Sequence, residues 1–182
     1  VSGYQRLERR LIHHGAILDV YQDKMQIPNG NTADWDFIGH KGAAAVVAVR
    51  DDGKLLMVRQ YRNALERETL EIPAGGRDGT QEPFLDCAYR ELEEETGYKS
   101  AKEDMKFLIS IYTTVAFCNE RIDIFVADRL TKSSQHLDED EFLGVEAHDV
   151  RKLLDMIYEG RLQDAKTVAA ILAYYQRYVL KA

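Results

Sequence analysis

The feature that most constrains this chain is the run Arg90-Glu91-Leu92-Glu93-Glu94-Glu95 together with what brackets it. Pro83 precedes the run, and proline is favoured at the first helical position. Gly97 follows it, and glycine is a good helix stop. Leu85, Ala88 and Leu92 recur at helical spacing between them, so the stretch predicts an amphipathic helix starting at Pro83 and running to Gly97. Residues three and four apart on a helix are neighbours, which puts Glu91 beside both Glu94 and Glu95. Three like charges in one turn destabilise a helix unless a positive group joins them. Arg90 reaches Glu94 at i,i+4 and offsets part of the repulsion; a hard divalent cation offsets more, since carboxylate oxygens are the ligands Mg²⁺ prefers.

On composition alone such a run is a solvated helix face. Its spacing says otherwise. Gly76 is followed after five residues by Glu82, and Glu82 after seven by Arg90-Glu91, then Leu92, Glu94, Glu95, Gly97 and Tyr98.

The stretch GRDGTQEPFLDCAYRELEEETGY, Gly76 to Tyr98, thereby resembles the Nudix signature at every fixed position. The resemblance implies a Nudix-type α/β/α sandwich with a loop–helix–loop packed on a mixed β-sheet. It also implies hydrolysis of a nucleoside diphosphate linked to another moiety. By the same resemblance Glu91, Glu94 and Glu95 bind Mg²⁺ or Mn²⁺. Glu82 and Arg90 brace the loop and helix, with Arg90 and Glu94 also standing as catalytic candidates and Gly76 and Gly97 as structural positions.

The likeness extends beyond the signature. Val58-Arg59-Gln60-Tyr61-Arg62, Leu70-Glu71-Ile72-Pro73-Ala74-Gly75, Asp138 to Phe142 and Gly160 to Thr167 are similar to the ADP-ribose pyrophosphatase branch. This implies a nucleoside diphosphate sugar substrate, ADP-ribose favoured, with GDP-mannose as the main alternative. A nucleoside triphosphate or dinucleoside polyphosphate hydrolase, and a non-catalytic nucleotide-sugar sensor on the same fold, are the rival readings. One departure stands out. In that branch the glycine of Pro-Ala-Gly is usually the first signature glycine, whereas here Gly75 is an extra residue before Gly76. A backbone carbonyl at this place joins the metal shell in the branch, and the sequence leaves open whether Ala74 or Gly75 supplies it.

By resemblance Glu139 aligns with a loop general base and Glu141 with a further metal ligand, and the two can trade roles. Glu120 aligns with a glutamate facing the terminal sugar, although the usual Pro-Gly of that loop is missing. Arg62 is a candidate phosphate clamp, because a guanidinium matches phosphate oxygens in a bidentate way; the alternative is a surface arginine. Trp35, the only tryptophan, is a candidate base-stacking residue from an N-terminal arm, or a core or interface residue.

The rest of the chain reads as strands and two further helices. Residues 1–40 form an extended β arm, broken by the turn cluster Pro28-Asn29-Gly30-Asn31, with a short strand around Trp35–Ile38. A homodimer exchanging this arm is expected. Residues 41–182 form the Nudix domain, the whole being one folded unit. Asp51-Asp52-Gly53 between Ala43–Val49 and Lys54–Gln60 is a hairpin signal. Thr69–Ile72 is a strand and Pro73–Gly76 a backbone-permissive loop. Phe107–Thr113, Ile122–Ala127 and Phe142–Ala147 read as strands. Asp149 and Asp164 are predicted to cap two helices, the second with an apolar stripe of Val168, Ile171, Leu172, Tyr175 and Val179.

A net charge of −7 disfavours nucleic acid and anionic membrane as partners, while bound cations can reverse the sign locally for a phosphorylated ligand. The two cysteines, Cys87 and Cys118, make no disulfide framework. No apolar run approaches a membrane span and no secretory signal is visible, so a cytoplasmic location is expected. No histidine among His13, His14, His40, His136 and His148 has a metal-ligand spacing.

Overall fold

The computed structural model describes residues 3–15, 18–137 and 142–180. Backbone contacts divide the chain into two units, one of residues 1–42 with 112–121, the other of residues 43–111 with 122–182.

The first unit is a three-stranded antiparallel sheet of β1 (Gln5–His14), β2 (Asp19–Gln26) and β3 (Thr32–Gly39), in that order. The predicted turn after β2 closes through Gly30 N to Ile27 O and Ile27 N to Asn31 O, both 2.9 Å. Gly30 has φ +87°, which the turn needs and glycine permits. Asp23 is buried in this sheet because Arg9 grips it side-on, with Nε to Oδ1 at 2.6 Å and Nη2 to Oδ2 at 2.5 Å. Phe37 lies under the same guanidinium, 3.8 Å from its ring centre. β1 is exposed along its whole length.

The second unit is built on a seven-stranded mixed sheet. β4 (Ala43–Val49) and β5 (Leu55–Arg62) form the expected hairpin, paired at Ala48–Leu56 and Val49–Leu55. β6 (Arg67–Glu71) adds to β5, and β7 (Ala74–Gly76) adds antiparallel to β4 at Ala43–Ala45. β9 (Lys106–Tyr112) lies beside β10 (Arg121–Ala127), and β10 runs parallel to β4, which makes the sheet mixed. β12 (Gly144–His148) closes the other edge on β5. A two-stranded ribbon joins β8 (Tyr98–Lys99) to β11 (Thr131–Lys132).

Successive residues of a strand face opposite ways, and β4 shows what that does. Ala44, Val46 and Ala48 pack with Cys87, Ala88 and Leu92 of α1 (Phe84–Thr96). Ala43, Ala45 and Val47 pack with Leu153 of α2 (Val150–Tyr158) and with Ala170 and Ile171 of α3 (Ala165–Tyr174). Helices thus cover both faces of the sheet, as an α/β/α sandwich requires.

Both predicted aspartate caps form. Asp149 accepts from Arg151 N, and Asp164 from Thr167 N at 3.0 Å. Several expectations need correction. Pro73–Gly76 is not a loop throughout, because the edge of β4 captures Ala74–Gly76 as a strand. Pro83 is the residue before the helix, with ψ 139°, rather than its first turn. The last strand starts at Gly144, and Phe142 is exposed. Leu172 lies off the buried stripe of α3, at 37 % exposure. Among the described residues no helix is long and apolar enough to cross a membrane.

Candidate active site

α1 carries the carboxylates and presents them to β7. Its first turn is closed by Asp86 N and Cys87 N, which donate to Pro83 O at 3.0 and 3.1 Å. Its end is set by Gly97, whose left-handed φ of +68° lets its N–H return to Glu93 O at 2.9 Å. The last carbonyls of a helix lack intrahelical partners. Here a segment remote in sequence supplies them: His136 N donates to Glu94 O at 3.0 Å and Gln135 Nε2 to Glu95 O at 2.6 Å. Ser133 N adds a 2.7 Å bond to Gly97 O.

Glu91 and Glu95 are buried, and Glu94 is half-exposed. Glu95 Oε2 accepts from Ala74 N at 2.8 Å, which pins β7 to the helix. Arg90 spans the other two, with Nη1 at 2.5 Å from Glu91 Oε1 and 2.9 Å from Glu94 Oε2. Its Nη2 donates to Gly76 O at 2.9 Å. Burial of this guanidinium opposes its charge, but the adjacent Glu91 and Glu94 outweigh that and hold its pKa above the ordinary arginine value. Glu82 completes the brace. Its Oε2 accepts from Asp78 N at 2.8 Å, and its Oε1 lies 3.5 Å from Arg90 Nε.

The extra glycine before the signature has a steric cause. A Cβ on Gly75 would coincide with the carboxyl group of Glu91. Gly75 pairs with Ala44 on β4. Cys87 fills the adjoining space, with Sγ 3.5 Å from the carbonyls of Gly75 and Gly76. Burial first, then the neighbouring Glu91 charge, push this thiol up to about 12, as suits a small apolar filler.

The ladder also separates the two candidate carbonyls. Val46 N donates to Pro73 O at 2.9 Å, and hydrogen-bonded pairs alternate along an antiparallel ladder. Gly75 therefore turns its polar groups to Ala44, whereas Ala74 and Gly76 turn theirs away from β4. The bonds of Ala74 N to Glu95 and of Gly76 O to Arg90 follow that alternation. The N–H of Ala74 is thus turned to the α1 carboxylate of Glu95.

These oxygens suit a hard divalent cation in kind, all being carboxylate or carbonyl. Among the described residues no group of three or more His, Cys, Asp or Glu side chains is gathered for a metal ion. Arg90 places positive charge beside both Glu91 and Glu94. Glu139 and Glu141 lie outside the described residues.

Arg62 is no loose surface residue, because Glu71 takes its Nε at 2.7 Å and Nη2 at 2.6 Å. Glu71 and Lys166, to which sequence reasoning assigned no role, are buried together. Their only trace in sequence is their place in the Leu70–Gly75 and Gly160–Thr167 stretches.

Trp35 and Glu120 belong to the first unit. Trp35 is 46 % exposed on β3, its ring 5.9 Å from that of Tyr4. Glu120 Oε2 accepts from Thr113 Oγ1 at 2.7 Å, and its Oε1 lies 3.5 Å from His40 Nε2.

The NUDIX domain model matches residues 39–171. The chain is 38 % identical over 167 residues to the ADP-ribose pyrophosphatase of Bacillus subtilis (strain 168), covering 91 % of this chain and 89 % of that protein. It is 40 % identical over 162 residues to the methanol dehydrogenase activator of Bacillus methanolicus, covering 88 % and 86 %. The ADP-ribose pyrophosphatase of Mycobacterium tuberculosis (strain ATCC 25618 / H37Rv) is 27 % identical over 176 residues, covering 94 % and 83 %. Among solved structures, an ADP compounds hydrolase superposes with a TM-score of 0.83 at 22 % identity, covering 97 % of this chain and 94 % of that one. With the signature intact, its helix seated on a mixed sheet and the family model matched over most of its length, this chain belongs to the NUDIX domain family.

Proposed function

We propose that this protein hydrolyses the pyrophosphate bond of nucleoside diphosphate sugars, ADP-ribose foremost, giving a nucleoside monophosphate and a sugar phosphate. The observation that carries the reading is the seating of Glu91 over Gly75 and of Glu95 on Ala74 N, which sets two signature carboxylates of α1 against β7. The likeness to two ADP-ribose pyrophosphatases over most of the chain supports the substrate class.

Glu91, Glu94, Glu95 and the Ala74 carbonyl would hold Mg²⁺ or Mn²⁺, with Glu141 as a further ligand. The bound cations would supply charge neutralisation of the pyrophosphate and activation of water. Glu139 would take the proton of the attacking water, with Glu141 as the alternative base. What supports a role for Glu139 and Glu141 is that His136, the described residue nearest them with a bond to α1, donates its N–H to Glu94 O. Arg62 would contact a phosphate through the edge of its guanidinium not used by Glu71. Trp35 would stack on the base and Glu120 would meet the terminal sugar. A homodimer through the exposed β1 arm is part of the same proposal, as is a cytoplasmic location.

Glu94→Gln and Glu95→Gln test the metal assignment. Both are expected to lose turnover of ADP-ribose at saturating Mg²⁺, and near wild-type rates in both would sink it. Glu139→Gln is expected to cost at least about a hundredfold, the low side of general-base contributions, and a loss below about tenfold would argue against the base role.

The relative named methanol dehydrogenase activator favours a second reading, in which the chain acts on a dehydrogenase partner. Adding the protein and its Glu95→Gln variant to a methanol dehydrogenase separates the two. Activation only by the hydrolytically competent form would join them; no activation would leave hydrolysis alone.

A further inference from the structure

A second cluster of charges centres on Glu71; of its members only Arg62 enters the chemistry above, and the charges of Asp164 and Glu95 also act on that guanidinium. Glu71, 2 % exposed, receives Arg62 side-on, Lys166 Nζ, and Thr69 Oγ1 at 2.6 Å. Lys166, itself buried, also reaches Asp164 Oδ2 at 3.0 Å. Asp164 accepts from Thr167 Oγ1 at 2.6 Å, and Thr167 Oγ1 accepts from Ile72 N at 3.0 Å. The cluster joins the end of β5, the end of β6 and the start of α3.

Buried ion pairs are a weak source of net stability, because desolvation offsets their attraction. Four charges placed here call for a reason in addition to packing. The two cations on Glu71 are not equivalent. The Lys166 side chain is 11 % exposed and is tied to a second carboxylate. The Arg62 side chain is 40 % exposed and uses only one edge of its guanidinium on Glu71, leaving Nη1 outside the pair. An anion can therefore approach Arg62 from outside and not Lys166. What that anion meets depends on Glu71. With Lys166 present, the Glu71 charge is shared between two cations. Without it, Arg62 alone neutralises a buried carboxylate, and little positive charge remains to face outward.

We propose that Lys166 is a positioning residue for the pyrophosphate subsite: by neutralising Glu71 from the buried side, it leaves Arg62 able to hold the substrate's phosphate. The inference rests on the reading of Arg62 as a phosphate contact. It concerns affinity for the anion rather than the hydrolytic step, so KM carries the effect more than kcat.

The test is a double-mutant cycle on the full chain, read by KM for ADP-ribose and by competitive inhibition with inorganic pyrophosphate in the presence of Mg²⁺. Lys166→Met is expected to weaken pyrophosphate binding by at least about tenfold, the scale of uncovering a buried charge. Lys166→Arg, which keeps the charge, is expected to restore most of it. In a Glu71→Gln background the same Lys166→Met change is expected to have little effect, because its route of action is gone. Equal losses in both backgrounds, or no loss in either, would overturn the proposal. If Lys166→Met alone does not fold, Glu71→Gln is compared with the double variant, and weaker pyrophosphate binding by the double variant overturns it. Arg62→Met separates the underlying reading: unchanged KM and inhibition there remove Arg62 from the subsite, whatever Lys166 does.

Discussion

The carboxyl group of Glu91 occupies the space that a side chain on Gly75 would need. Two residues that are 16 apart in sequence therefore constrain one another: the Glu91 carboxyl keeps this place against β7 because that strand has no Cβ there. The glycine that looks like an insertion ahead of the signature is the floor of the site.

Gly75→Ala is the direct consequence. The added methyl must displace Glu91 or push α1 off the sheet, and overpacking of this kind costs about 1–3 kcal/mol. A lowered melting temperature is expected, together with loss of most Mg²⁺-dependent turnover in protein that remains folded. Wild-type turnover in the alanine variant would show that the seat of Glu91 is immaterial.

Arg90 donates to both Glu91 and Glu94 and holds them together. Removing it as Arg90→Met leaves two carboxylates without their guanidinium, and hydrogen bonds to charged groups are worth about 1.5–3 kcal/mol. The variant is expected to melt lower than the parent, and Mg²⁺ is expected to raise its melting temperature by more than it raises the parent's. Equal shifts with Mg²⁺ would separate the metal site from these glutamates.

Glu71 makes acid stability testable. Burial pushes its carboxyl up, but the bonds from Arg62 and the charge of Lys166 outweigh this and hold it at about 2, against an ordinary 4.5. The native state then binds fewer protons than the unfolded chain in that window, so this contribution is full above about 4.5 and is lost as pH falls toward 2. It is on the order of 3 kcal/mol. Urea unfolding of Glu71→Gln against the parent is expected to show a gap that is largest at neutral pH and narrows through that window. A gap independent of pH would mean that Glu71 is not the group responsible.

The thiols differ in the same spirit. Cys87 is buried and pushed up to about 12, whereas Cys118 is half-buried. A thiol reagent at pH 8 is expected to label Cys118 in the native protein and both cysteines only after unfolding. Rapid native labelling of Cys87 would contradict the close seat of α1 on β7.

Much of this was legible in the chain itself. The glutamates, the glycine stop and the Asp51-Asp52-Gly53 hairpin depend on local spacing, and all three appear where the spacing puts them. What escaped reading depends on pairing across distance. Pro73–Gly76 has the composition of a loop, and only the free edge of β4 turns Ala74–Gly76 into a strand. The ion pair of Arg62 escapes reading because Glu71 and Lys166, 95 positions apart, cannot be seen as one cluster in a linear chain. The choice of backbone ligand, open between Ala74 and Gly75 in sequence, likewise turns on ladder pairing that a linear chain does not display.

The central claim is tested most directly by offering the purified protein ADP-ribose, GDP-mannose, ATP and a dinucleoside polyphosphate with Mg²⁺ and resolving the products. AMP and ribose 5-phosphate from ADP-ribose, at the highest kcat/KM of the set and abolished in Glu95→Gln, is the expected result. Turnover confined to ATP or the dinucleoside polyphosphate, or ADP-ribose hydrolysis undiminished in Glu95→Gln, would contradict it.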